Sequence, residues 1–364
     1  MLEKVLAGVC DTYDVKKIKE FIEKCLNEIN FKVTKSKILL KPNLLSSKTP
    51  EKAVTTHPIF VQAISEIFLD LSCSVSIGDS PGYESTEKVL MQSGIMSIVK
   101  SHNLKIRTFD RRIIKYIKGI SPYSKFTLGE DPDDYDFIIN IPKLKSHSMM
   151  GLTLGVKNMF GFIPSFEKAK WHLKAGKDRM LFASVLIDIY NVVKPSLTIL
   201  DGISGMDGDG PSNGRVNNFG IMLACKSSFE LDYVIEKLIG TSEPMPISDM
   251  ALKHNLIKKY SACCVYPFSN DIDVCKKCFV DFKFPKTINT DWRLPVFIKT
   301  TLSKIFIKRP KINKNRCRNC QICLNVCPVK AISNSGITPN INYKKCISCY
   351  CCQEMCPESA ITIS

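Results

Sequence analysis

Phe137-Ile138-Ile139-Asn140-Ile141-Pro142-Lys143-Leu144-Lys145-Ser146-His147 is the stretch on which the fold turns. Phe137 to Ile141 is a short, nearly continuous apolar run closed by a proline, too short for a helix and suited to a strand buried on both faces. Cationic and polar residues follow at once: Lys143, Lys145 and His147, then Gly151, Gly155 and Lys157-Asn158. Strands buried on both faces belong to parallel sheets covered by helices. In such sheets ligands gather beyond the carboxyl ends of the strands.

The pattern repeats outward from this run. Towards the N-terminus the spacing predicts strands at Val5–Val9, Lys37–Leu40 and Ser74–Ile77, alternating with helices at Val15–Ile29 and Pro58–Leu71. Towards the C-terminus it predicts a helix at Arg179–Val193, strands at Leu197–Leu200 and Ile221–Cys225, and a helix at Phe229–Ile239. Alternation of this kind specifies an α/β domain with a mostly parallel sheet. Residues 241–298 hold Pro, aromatic and Cys residues without a clean period, and are expected to be an irregular extension of an α/β domain spanning 1–298. Lys299 to Arg318 then carries eight Lys or Arg and no acid. Its first part, 299–311, reads as a basic linker, either a solvated connector or a strip for an acidic partner.

Four loops follow the predicted strand ends. They offer Lys41 and Asn43 with Thr55-Thr56-His57; Asp79 and Ser80 between Gly78 and Gly82; Lys143, Lys145, His147, Lys157 and Asn158; and Asp201 ahead of Gly205 to Pro211. Lysines beside glycine-rich backbone suit a carboxylate or phosphate, and aspartates suit a hydroxyl, an amine or a divalent ion. Singly these pieces have plain readings. Gly78 to Gly82 is neither a dinucleotide fingerprint nor a Walker loop and serves equally as a turn. Thr56 before His57-Pro58 serves as a helix cap. Asp207-Gly208-Asp209-Gly210 lacks the spacing of a calcium loop. The convergence of the four loops makes them a candidate anion site, with Lys143 and His147 as its candidate catalytic residues.

The C-terminus contains a repeat. Cys317, Cys320, Cys323 and Cys327-Pro328 recur 29 residues later as Cys346, Cys349, Cys352 and Cys356-Pro357. The run C-x2-C-x2-C-x3-C-P lets three thiolates reach one cube of iron and sulfur while the fourth ligates the other cube. Two 4Fe-4S clusters are therefore expected: one on Cys317, Cys320, Cys323 and Cys356, the other on Cys346, Cys349, Cys352 and Cys327. Structural zinc pairs two C-x2-4-C knuckles and has no use for the third cysteine. Cys351 has no place in the pattern. Cys263-Cys264 with Cys275 and Cys278 could bind a metal, but the group matches no known metal spacing and reads first as ordinary thiols. Residues 312–364 resemble the two-cluster bacterial ferredoxins, which implies a small α+β module.

Lys41-Pro42-Asn43, Thr55-Thr56-His57-Pro58, Gly78-Asp79-Ser80-Pro81-Gly82, Pro142 to His147, Gly155-Val156-Lys157-Asn158 and Asp201-Gly202 resemble the family called domain of unknown function 362, over roughly residues 1–240. Its members commonly carry a ferredoxin-like module at the C-terminus. The resemblance implies that both halves work as one unit and implies no particular reaction.

The chain of 364 residues suits two or three domains, and 45% hydrophobic residues suit a buried core. A formal charge of +16 falls to about +12 once two clusters with their thiolates are counted. No motif interleaves aromatic with basic residues, which argues against nucleic acid as the partner. There is no run of eighteen apolar residues to span a membrane and no signal-like start between Met1 and Cys10. Seventeen cysteines then point to metal ligands in a reducing, cytoplasmic setting. The expectation is an iron–sulfur redox protein, a candidate oxidoreductase, with a redox partner protein and an anionic small molecule at the loops. Two other readings stand beside it: an electron-transfer subunit whose α/β domain only docks a partner, and an isomerase or lyase with structural clusters.

Overall fold

The computed structural model describes residues 2–266, 269–287, 308–334 and 336–363. Residues 288–298 of the expected extension and 299–307 of the expected linker lie outside them.

The strands are β1 (Glu3–Val9), β2 (Lys37–Pro42), β3 (Ser74–Gly78), β4 (Lys105–Arg107), β5 (Ile113–Tyr116), β6 (Lys125–Leu128), β7 (Phe137–Ile141), β8 (Lys143–His147), β9 (Gly151–Thr153), β10 (Leu197–Asp207), β11 (Arg215–Cys225) and β12 (Tyr260–Tyr266). The main sheet runs β12-β1-β11-β10-β7-β2-β3-β4, with β8 and β9 attached beside β10. Every pairing along the stretch β10-β7-β2-β3-β4 is parallel, whereas β11 runs antiparallel to both β1 and β10. The fold is thus α/β with a mostly parallel sheet. β5 and β6 form a separate hairpin.

Period-two alternation decides which helices cover which face. Ile38, Leu40, Ile139 and Ile141 point into one core, with α1 (Val15–Glu28) and α2 (Pro58–Asp70). Leu39 and Ile138 point into a second core on the opposite face. There they meet α7 (Arg179–Val193), which follows α3 (Thr86–Gln92), α4 (Ile95–Ser101), α5 (Gly155–Asn158) and α6 (Ser165–Ala175) in the chain. Apolar residues on both sides of the strand are why β7 is a nearly continuous hydrophobic run. Truncating one of these side chains to alanine costs about 2–5 kcal/mol.

Two sequence expectations are corrected. First, the described part of the extension is not irregular throughout. It contains α9 (Pro246–Lys253), after α8 (Ser228–Ile239), and β12, which extends the sheet in parallel beside β1. A strand whose residues are mostly half-buried at a sheet edge shows no clean alternation, so its period was hidden. Second, the chain after Pro142 does not leave the sheet. Proline lacks the N–H needed to continue the ladder, and β8 then re-pairs with β10 at Lys143–Asp201 and Lys145–Met206. Lys143, Lys145 and His147 therefore share one face of a buried strand.

The C-terminal module is built from short pieces. Pro310–Ile312 pairs antiparallel with Ile361–Ile363, and Ile332–Asn334 with Pro339–Ile341. Single helical turns lie at Ile322–Asn325 and Cys351–Glu354.

Candidate redox site

The eight repeat cysteines surround two small cavities. Cys317, Cys320, Cys323 and Cys356 wall one, and Cys327, Cys346, Cys349 and Cys352 wall the other. Cys327 and Cys356 have each crossed to the group of the other motif. Among the described residues, no three His, Cys, Asp or Glu side chains converge on a single ion. Four thiols spread around a cavity lined by Ile, Ala and Pro suit a 4Fe-4S cube, whose irons stand apart, better than one tetrahedral ion. The second group is the more enclosed, since Cys349 and Cys352 are buried whereas Cys320 is exposed.

The loops at the carboxyl edge form a linked network. Lys41 is fully buried and pairs with Asp79 at 2.8 Å, and its ammonium also donates to the Pro42 carbonyl at 3.0 Å. Asn158 accepts from Lys41 at 3.2 Å and from Asn43 at 2.9 Å, and donates to Asn140 at 2.8 Å. Asp79 accepts from the backbone N–H of Leu44 and of Ser80. The Ser80 hydroxyl lies 2.9 Å from that of Ser165. Gly161 is required here: a Cβ would fall 2.0 Å from the Asp79 carboxylate and 2.5 Å from the Lys41 ammonium.

Over this network lies a cavity of about 480 Å³. Its floor is Lys41, Asn43, Asp79 and Lys157, one wall is Lys168 and His172 of α6, and the opposite wall is Asn325, Val326, Cys351, Glu354 and Met355 of the cysteine module. Each module residue in that wall is close in sequence to a cluster cysteine. The two parts touch at Gly82, where a Cβ would come 2.6 Å from the sulfur of the flexible Met355 side chain. Beyond the cavity, Gln353 donates to the Asp209 carbonyl, Asn213 to the Gln353 carbonyl, and Lys48 to the Pro357 carbonyl.

The cavity is electropositive. Among the described residues Lys157 makes no hydrogen bond or ion pair, and its ammonium lies 6.0 Å from the centre of the Phe160 ring. Burial lowers its proton affinity, and Glu354 and Cys351 oppose that. Burial brings Lys168 down to about 8, with Asp79 opposing. His172 is pushed to about 4 by burial and is neutral at pH 7. Burial alone would raise the Glu354 carboxyl, but His147 and Lys157 outweigh it and hold the group well below the usual range. His147 is itself pushed to about 4, chiefly by burial. As a neutral ring it brings no charge to Glu354, which its Nε2 approaches at 2.6 Å.

The family described as "Domain of unknown function (DUF362)" matches residues 38–236, more than half of the chain, and the "4Fe-4S dicluster domain" matches residues 309–357. The chain belongs to the DUF362 family. The thylakoid-associated protein sll1697 of Synechocystis sp. is 32% identical over 282 residues, covering 77% of this chain and 86% of that protein. The lactate racemase apoprotein of Thermoanaerobacterium thermosaccharolyticum is 11% identical with a TM-score of 0.42; the match covers 67% of this chain and 58% of that one. The dicluster domain supplies iron–sulfur electron transfer. Among the described residues no helix is long and apolar enough to cross a membrane.

Within the DUF362 region the candidate residues divide into two sets. Lys41, Asn43, Asp79, Ser80, Lys157 and Asn158 line the cavity. Lys143, Lys145, His147 and Asp201 do not, which corrects the expectation of one pocket for all the lysines. Lys143 and Asp201 form a fully buried pair at 2.8 Å, closed further by Tyr13 and Ser204. Lys145 spends its ammonium on Asn43 and the Val54 carbonyl. His147 accepts from the N–H groups of Met149 and Met150 through Nδ1, and its Nε2 faces Glu354. His57, not Thr56, caps α2, while Thr56 donates to the Ile141 carbonyl. Lys168, His172 and Glu354 were missed. The first two are four residues apart on α6, a spacing that puts both on one helix face. On β12 Cys263 packs into one core, while its neighbour Cys264 shares the other with Cys275 and Cys278.

Proposed function

We propose that this chain is an iron–sulfur oxidoreductase whose two 4Fe-4S clusters exchange electrons with an anionic small molecule held in the 480 Å³ cavity. One observation carries the reading: a single cavity has on its floor a lysine, Lys157, that is unpaired among the described residues, and in its wall the sequence neighbours of cluster cysteines. The clusters, when bound, supply one-electron chemistry that reaches low potential. The chain's own residues do the rest. Lys157 and Lys168 attract the anion, the Lys41–Asp79 pair and Asn158 fix the floor, and α6 and the module half-enclose the cavity. A partially sealed site strengthens each of these charges.

Exposed Cys320 marks the side of the module from which a redox partner protein would reach the clusters. The basic residues Arg316, Arg318 and Lys314 beside it favour an acidic partner. Seventeen thiols, none in a disulfide, accord with a reducing, cytoplasmic setting.

The test is anaerobic. The clusters are reduced with dithionite, excess reductant is removed, and their reoxidation is followed near 400 nm with small molecules recovered from the purified protein. Lys157→Met is expected to slow reoxidation by about tenfold or more with iron content unchanged. Equal rates for Lys157→Met and the parent chain would sink the proposal and leave a docking role for the α/β domain.

A further inference from the structure

The lining of the cavity restricts what can occupy it. Three lysines (Lys41, Lys157 and Lys168) and two carboxylates (Asp79 and Glu354) face it, so one positive charge is left over. His172 adds none, because burial and the nearby lysines keep it neutral. Lys41 is already neutralised by Asp79 at 2.8 Å, and Lys168 donates to the Ser80 and Pro81 carbonyls, which leaves Lys157 without a partner among the described residues. A dianion would bring more negative charge than the site can balance, and the clusters behind the module wall are themselves negative.

The remaining wall is apolar. Leu45, Phe160, Val326 and Met355 contribute to it, and Tyr83 and Phe166 stand where the cavity opens. Those two rings are 50% and 57% exposed. Aromatic rings left open around a half-enclosed cavity gain by being covered, at about 25 cal/mol per Å² of apolar surface removed from water.

We propose that the cavity takes a monocarboxylic acid with a flat apolar body, its carboxylate on Lys157 and its body between Phe160, Phe166 and Met355. This deepens the functional reading above and rests on it. An acid with no apolar body leaves the rings wet, and a neutral analogue leaves Lys157 unpaired. Inorganic phosphate fails on both counts, having no body and more charge than the lining balances.

Binding to the full-length, cluster-loaded chain is measured anaerobically by titration calorimetry with four probes: 3-phenylpropionate, 3-phenylpropanamide, acetate and inorganic phosphate. The acid is expected to bind about tenfold or more tightly than each of the other three. Lys157→Met should weaken it about tenfold or more, and Phe166→Ala by a smaller factor, with iron content and absorbance unchanged in both. Phenylpropionate and its amide binding equally would overturn the anion role of Lys157. Phosphate or acetate binding as tightly as phenylpropionate would overturn the apolar body while leaving an anion site in place. No heat with any probe would remove this inference, whereas cluster reoxidation through Lys157 would still decide the broader proposal.

Discussion

Nε2 of His147, at the end of β8, stands 2.6 Å from Oε1 of Glu354, in the turn between Cys352 and Cys356. The two atoms are close but not aligned as a hydrogen bond, and among the described residues neither has another partner. The α/β sheet and the cluster module therefore meet at a buried polar contact, one wall away from the cavity. Nδ1 is occupied as an acceptor for two backbone N–H groups, so the ring proton belongs on Nε2, the nitrogen nearer the carboxylate.

Glu354→Ala removes the carboxylate that Lys157, His147 and His172 all face. Taking one partner from a buried charged group costs about 3 kcal/mol. The expected result is a lowered anaerobic melting temperature with iron content unchanged, because Glu354 is not a cluster ligand. Glu354→Gln keeps the shape and an acceptor and should lose less. If Glu354→Ala melts with the parent chain, the contact does not hold the module in place.

Lys143→Met tests the opposite assignment. Lys143 and Asp201 are both sealed from solvent and satisfied by each other, by Tyr13 and by Ser204. Tyr13 also stacks on His57 at 3.5 Å, which ties the pair to the start of α2. The substitution strands Asp201 and should cost about 3 kcal/mol in denaturant unfolding. Anion binding in the cavity, which Lys143 does not line, should survive. Loss of binding without loss of stability would restore Lys143 as a site residue.

Cys327→Ser tests crossed ligation. Cys327 belongs by sequence to the first motif and by position to the cavity of Cys346, Cys349 and Cys352. The parent chain should hold about eight irons and eight sulfides. The variant should disturb the cluster of the second motif and spare the one on Cys317, Cys320, Cys323 and Cys356. Paramagnetic resonance of the reduced protein separates the two. A disturbed first-motif cluster with an intact second would mean that each motif keeps its own cysteines.

Much of this was legible because the signals are local. The apolar runs of β2 and β3 end where the loops begin, and the 29-residue repeat groups the cysteines without coordinates. What escaped was pairing at long range. Nothing near Lys143 announces that Asp201, 58 residues on, will neutralise it, so four lysines after strand ends looked like one cationic pocket. Pro142 looked like the end of a strand because it does end one ladder; that β8 resumes against β10 depends on a neighbour distant in sequence. Glu354 was hidden inside a motif already explained by its cysteines. Lys168 and His172 lie on a helix whose polar face resembles any solvated face until the module covers it.

Lys168 gives the site a pH dependence whose sign follows from its surroundings. Burial lowers its pKa to about 8; Asp79 and Glu354 oppose this, and Lys41 and Lys157 reinforce it. Below that value the ammonium is charged and the lining keeps its single spare positive charge. As the pH rises through 8 the proton leaves, the lining becomes neutral, and an anion on Lys157 loses the spare positive charge beside it. Affinity for 3-phenylpropionate should therefore hold steady from pH 6 to 7 and fall by about tenfold towards pH 9, the limit for one linked proton over about one unit. His172, at about 4, titrates outside this window and contributes no change. Lys168→Arg keeps the charge at every pH in the range, so its profile should be flat where that of the parent chain falls. A flat profile in the parent chain, or an unchanged fall in Lys168→Arg, would show that the affinity does not depend on the proton of Lys168.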